Sequence, residues 1–343
     1  MISNRNQLLE LLEQQAIEEQ HIDQALLVSG VRPRPHNWLS FISQLLAWCG
    51  GLALLFAVVF FIAYNWQQMG KFAKFALVEV IIIVSILAYY RLAKRGENAA
   101  NHDEVQPSLS KIPLLIAAVC FGVLLALFGQ TYQTGADPWQ LFFNWALLIT
   151  PWVILARLNA LWMIWIGLFN IAMMLYYINF SAVGLFFSAE LNALWSLFAF
   201  NSLMLIVWER ASQHYVWLAA RWAPRILAVV CGVCITWLMV WLIVDSSYFY
   251  RRNTPLSYQD WLPIVVWPVW CALMYVTYRR VKADLFMLAG TLLSVNVIVI
   301  SFLTTHLLDN LHELGFLLLS MTTIGMATGS AVWLRRVNKE WQP

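Results

Sequence analysis

The sequence predicts an all-α integral membrane protein, a bundle of about ten transmembrane helices preceded by a short cytoplasmic helical hairpin. Three observations predict it. Apolar stretches recur ten times between Phe41 and Leu334, each meeting or approaching the roughly 20 residues that a bilayer core requires. Charged residues make up 11% of the chain and hydrophobic residues 61%, where soluble domains carry about 25% charge. With the N-terminus placed in the cytoplasm and the spans alternating, seventeen of the 21 basic residues fall on the inner side, which is the positive-inside bias.

Residues 1–36 read as one domain and residues 37–343 as the other. The opening stretch is polar and charged, so no cleavable signal peptide is expected there. Leu8, Leu9 and Leu12, then Ile22, Ala25 and Leu26, recur at helical spacing. Ser29-Gly30 supplies a stop, and Pro33 and Pro35 forbid continuation. The result is two short amphipathic helices as a cytoplasmic hairpin, too small to bury a core alone. Its acids, Glu10, Glu13, Glu18 and Glu19, suit a solvated face better than catalysis.

The spans follow at about Phe41–Tyr64, Phe72–Tyr90, Pro113–Thr134, Leu141–Ala156, Leu161–Ile178, Leu191–Trp208, Ile226–Val244, Trp261–Tyr278, Leu285–Thr304 and Leu314–Leu334. Only Lys71, Lys74, Arg251 and Arg252 remain for the outer face. A missed span would scramble that alternation downstream, so ten spans put both termini in the cytoplasm. The longest inner connection, Arg91 to Lys111, is Asn/Glu-rich over Gly96–Gln106 and reads as a mobile linker. Asp245–Asp260 is the longest outer one.

One stretch stands out. Gly129-Gln130-Thr131-Tyr132-Gln133-Thr134-Gly135-Ala136-Asp137-Pro138-Trp139 crowds hydrogen-bonding side chains between two spans. Asp137 before Pro138 is a helix-start signal, with a side-chain oxygen to cap free amides and a residue preset for the first turn. Gly135 suits the left-handed position past a helix end. Gln130, Tyr132 and Gln133 then lie in the last turns of the third span. Lipid cannot satisfy them, so they are expected to face the bundle or the interface. An ordinary interfacial turn in the aromatic belt is the simpler alternative.

Two features of this pattern resemble a bacterial membrane family, domain of unknown function family 2157. The first is Ile62-Ala63-Tyr64-Asn65-Trp66, where the first span ends in Ala-x-Asn-Trp and the next is opened by Lys71 and Lys74. The second is Gly129-Gln130-Thr131-Tyr132, followed by Asp137, Trp145 and Pro151. Together with the hairpin the pattern covers roughly Leu8 to Pro151. The hairpin turn departs from it, with Gln15-Ala16-Ile17 where a glycine is expected. The resemblance implies a polytopic protein of the bacterial inner membrane and carries no activity with it.

Candidate chemistry is sparse. Glu79 stands alone in the apolar run Phe75–Leu87. A buried acid at membrane depth is costly and suggests proton or cation handling, or a carboxyl kept for packing. Glu79 lies about 10 Å inside its span and Gln130 about 6 Å inside the next. Glu79 is therefore expected to face the bundle, with a partner among Gln130, Tyr132, Gln133 and Asn144. Asn144, Asn170, Asn192, Asn201 and Asn296 read first as interhelical glue. Glu190 suits a helix N-terminus, and Pro263 and Pro268 can kink the eighth span. His306, Asp309 and His312 share a helical arc that could hold a metal, but an interfacial polar turn before the last span is simpler.

Cys231-Gly-Val-Cys234 lies inside an apolar helix and reads as core. No loop has the basic and aromatic surface of a nucleic-acid binder, and no nucleophile elbow, phosphate loop or zinc-helix motif occurs. The reading is thus without cofactor or bound metal and weighs against an enzyme. Its partners are membrane lipids and a protein at the N-terminal hairpin. It leans to a transporter of a small solute or ion, with Glu79, Gln130, Tyr132, Gln133, Asp137 and Asn144 as binding candidates. The alternative is a non-catalytic envelope sensor, scaffold or assembly factor.

Overall fold

The computed structural model describes residues 22–28, 35–65, 68–99, 111–180, 188–250 and 258–341, together with Leu11, Gln14 and Ile17. At some helix ends and at 306–313 only the backbone is described. All secondary structure among these residues is helical. The elements are α1 (Ile22–Val28), α2 (Pro35–Tyr64), α3 (Lys71–Ala99), α4 (Ile112–Tyr132), α5 (Pro138–Ala156), α6 (Asn159–Asn179), α7 (Ala189–Ala211), α8 (Trp222–Tyr250), α9 (Tyr258–Val276) and α10 (Leu285–Glu340). Within the described residues, 10 helical segments are long and apolar enough to cross a bilayer. Their bounds follow the sequence-predicted spans closely, because mean hydropathy reads burial in lipid directly.

α1 is the second helix of the expected hairpin; the first, around Leu8–Leu12, lies outside the described residues except for Leu11. α3 continues through Gly96 to Ala99, which shortens the expected linker from its N-terminal side. The rest of that linker lies outside the described residues.

The last two spans both lie in α10, a 56-residue run of helical backbone. Were it straight, its 1.5 Å rise per residue would part Asn296 from Ser330 by about 51 Å. Yet Asn296 Nδ2 lies 3.1 Å from Ser330 Oγ. The chain therefore doubles back between Leu285–Thr305 and Leu314–Glu340, and the two spans stand side by side. The reversal falls at the polar stretch 306–313, where the sequence predicts a turn. The side chains of His306, Asp309 and His312 lie outside the described residues.

The chain divides into two compact units, Met1–Gln133 and Thr134–Pro343. The division falls inside the polar stretch between α4 and α5. In the first unit α3 packs against α4 through one stripe, with Lys74, Val78, Ile82 and Ser85 buried at spacings of three and four residues. α2 approaches α4 closely at one end: a Cβ on Gly51 would meet Ile112 Cγ2 at 3.1 Å. Most of α2 is exposed apolar surface, from Trp38 to Phe61, as suits a helix whose solvent is lipid.

In the second unit α8 is the central helix. Leu227, Cys231, Ile235 and Leu238 recur along its buried face and meet Leu205 and Trp208 of α7, Trp270 and Met274 of α9, and Met287 and Leu288 of α10. Cys231 and Cys234 are buried free thiols within this packing, as expected. Apolar contact alone gives helices little preference for each other over lipid tails, so polar pairs set register. Asn170 and Asn201 exchange amide hydrogen bonds between α6 and α7, Tyr177 bonds Ser196, and Trp165 Nε1 donates to Thr150. The expected glue role of the asparagines holds for Asn170, Asn201 and Asn296.

Candidate functional site

The two stretches that carry the family resemblance meet at one groove in the first unit. α2 brings Val59, Ile62, Ala63 and Tyr64; the following turn brings Gln68; α4 brings Val123, Ala126, Leu127 and Gln130. On α4 these residues recur at spacings of three and one and present a single face; on α2 Val59, Ile62 and Ala63 do so, with Tyr64 following at the helix end. The helices touch at Gly51 and part toward Tyr64, which leaves a cavity of 690 Å³ at that end. Its floor is apolar, with Ile62 and Leu127 buried. Its polar residues are Tyr64, Gln68 and Gln130, all three exposed at the rim.

The local sequence builds this end. Asn65 closes α2 with its own side chain, Nδ2 donating to the Phe61 carbonyl at 3.0 Å. Its backbone carbonyl then accepts from the amides of Gln68 and Met69. A turn held in this way fixes Gln68 at the rim. On α4, Gln133 takes the left-handed C-cap conformation with φ 45° and Gly135 follows at φ 64°. α4 therefore ends at Tyr132, two residues short of the Thr134 expected, and Gln130 is in its last turn.

Of the sequence candidates, Gln130 alone lines the groove. Tyr132 turns toward α3, its ring 6.2 Å from Phe75 and 4.9 Å from Phe128. Gln133 is exposed in the turn. Asp137 sits at the N-cap of α5, but its side chain accepts no capping hydrogen bond; the expected cap is corrected here. Pro138 has no amide to cap and already presets the first turn, and the Asp137 backbone carbonyl accepts from Gln140 at 3.0 Å. Asn144 is exposed on α5.

Glu79 also departs from expectation. It is exposed, and among the described residues it forms no hydrogen bond or ion pair with Gln130, Tyr132 or Gln133. The reason is helical phase. Val78 and Ile82 occupy the face of α3 that packs on α4, and Glu79 is turned about 100° from Val78. At Glu190 the cap is Ser188, whose hydroxyl faces the Leu191 amide at 3.5 Å, and Glu190 lies in the first turn.

A second polar assembly escaped the sequence reading. In the second unit Asp284, with 1% side-chain exposure, accepts from Arg221 at 2.9 Å and Arg225 at 3.1 Å and caps α10 at the Phe286 amide. Glu209 accepts from the Tyr278 hydroxyl at 2.9 Å and pairs with Lys282. Lys282 also donates to the Glu209 carbonyl and to Ser212 Oγ. These residues come from two separate connections, α7 to α8 and α9 to α10, and sequence spacing alone cannot bring them together. Among the described residues no group of three or more His, Cys, Asp and Glu side chains is placed to hold a metal.

Fold and composition define a polytopic all-helical membrane protein. Residues 7–162 match the model of a family described as a predicted membrane protein, domain of unknown function 2157. The match covers both resemblance motifs and extends through α5 into α6. No curated protein and no solved structure matches the chain.

Proposed function

We propose that this chain is a transporter-like protein of the bacterial inner membrane, with both termini cytoplasmic, that binds a small polar solute without net charge in the groove between α2 and α4. One observation carries the reading: Tyr64, Gln68 and Gln130, from separate parts of the sequence, converge on a single cavity with an apolar floor. A few polar groups over an apolar wall are the usual composition of a small-molecule site. No charged residue is among those lining the groove, which favours a neutral or zwitterionic ligand over an ion. Glu79 is outside the lining, so a proton or cation role for it rests on its depth in the membrane alone. The competing scaffold reading makes the groove a packing surface and assigns the partner to the hairpin at residues 1–36.

Thermal unfolding of the purified full chain separates the two readings. A panel of sugars, polyols and zwitterionic amino acids should contain a member that raises the midpoint, since a ligand at 100 times its Kd stabilises by about 2.7 kcal/mol. Gln130→Leu and Gln68→Leu should abolish that shift. A panel with no stabilising solute, or a shift that survives both substitutions, contradicts the proposal.

A further inference from the structure

We propose that a second groove, between α7 and α9, binds one anionic phospholipid, with an acyl chain along the groove and the phosphate at Arg210. The groove has a volume of 590 Å³ and is walled by apolar side chains, among them Phe198, Ile206, Val269 and Leu273. Its charged residues gather at one end, where Glu209, Arg210 and Lys282 form the mouth with Gln213; Ser202, mid-wall, is turned to Cys231 Sγ. From Phe198 to Arg210 the wall on α7 runs about 18 Å at 1.5 Å per residue. That is close to one leaflet of a hydrocarbon core roughly 30 Å thick. An apolar trough one leaflet deep under a polar mouth has the shape of a lipid, not of a small soluble solute.

Charge selects the headgroup. At this end of the second unit Arg221, Arg225, Arg279 and Lys282 pair with Glu209, Asp284 and Glu340. Each acid is already engaged: Glu209 by Lys282 and Tyr278, Asp284 by Arg221 and Arg225, and Glu340 by Arg279. The guanidinium of Arg210 is exposed and has no acidic partner among the described residues. Glu209, the acid at the mouth, is neutralised in place, so it does not repel a phosphate. A cation without an acidic partner among the described residues, beside an apolar intramembrane groove, fits the basic pockets that hold anionic headgroups.

The test uses the full chain in nanodiscs of phosphatidylcholine containing a minor fraction of phosphatidylglycerol. The lipid retained on detergent release is read by native mass spectrometry. Wild type should retain phosphatidylglycerol selectively. Arg210→Ala should lower that retention about fivefold, the effect of one basic residue at an anionic surface. Arg336→Ala, exposed and outside the groove, should leave it unchanged. Leu273→Trp, which fills the trough, should lower it while thermal unfolding remains that of the wild type; if that variant fails to fold, Ile206→Trp takes its place. Equal retention in wild type and Arg210→Ala overturns the proposal, as does equal loss in Arg336→Ala. So does retention that survives a filled trough, or displacement of the lipid by millimolar inorganic phosphate, since the site would then be a free-anion site.

Discussion

Asn296 and Ser330 are 34 positions apart in sequence and 3.1 Å apart in the structure. Their contact fixes the last two spans as an antiparallel pair despite unbroken helical backbone between them. Cysteines at these two positions, in a chain lacking its native thiols, should form a disulfide or a short crosslink within one molecule. A long spin-label separation, near the roughly 51 Å of a straight helix, would contradict the pairing.

Asn170 and Asn201 hold α6 to α7 through reciprocal bonds of 3.1 and 2.6 Å. Asn201→Leu should cost about 0.6–1.7 kcal/mol, the span measured for interhelical hydrogen bonds in membranes. The double change Asn170→Leu/Asn201→Leu should cost less than the sum of the two single changes, because no amide is left unpaired. Strict additivity in a double-mutant cycle would show that the two amides do not interact.

Asp284 ties the start of α8 to the start of α10 through Arg221 and Arg225. Asp284→Ala should destabilise the second unit by about 1–3 kcal/mol. That is below the loss for a fully buried pair, because both arginine side chains are a third or more exposed and water screens them. Unfolding in detergent at low and high salt checks this; no change on substitution would leave the cluster without a structural role.

At the start of α5, Asp137→Ala should change stability by less than about 0.5 kcal/mol, as a surface position without a partner does. Ser188→Ala, which removes the hydroxyl facing the Leu191 amide, should cost about 0.5–1 kcal/mol. A larger loss at Asp137 than at Ser188 would reverse this assignment of the caps.

The spans were legible because mean hydropathy reports directly on the length of chain that suits burial in lipid. Phe41–Tyr64 and Trp38–Tyr64 agree at the Asn65 cap, for example, and differ only by the three residues from Trp38 to Ser40. The candidate site was half legible. Gln130 was visible as a polar residue near the end of a span, and Tyr64 stood in a quoted motif. Gln68 and the assignment of both to one groove depend on how far α2 diverges from α4, which no local pattern encodes. Glu79 was misplaced because its depth was read without its phase: one residue separates it from the packed Val78 face. The Glu209–Asp284 assembly joins side chains up to 75 positions apart, and only tertiary packing shows it.

The solute groove is tested most directly by water access at membrane depth. Ala126 and Val123 lie about 9 and 13 Å before the end of α4 and line the groove. Val80, exposed on α3, lies at a comparable depth of about 13 Å from Lys71. Single cysteines at these three positions and at Gln68, in a chain lacking its native thiols, are treated with a small charged thiol reagent in intact membranes. The account predicts that Gln68→Cys, Ala126→Cys and Val123→Cys all react while Val80→Cys does not. Reaction at Gln68→Cys alone, with Ala126→Cys and Val123→Cys as inert as Val80→Cys, would mean a dry groove and contradict the proposed function.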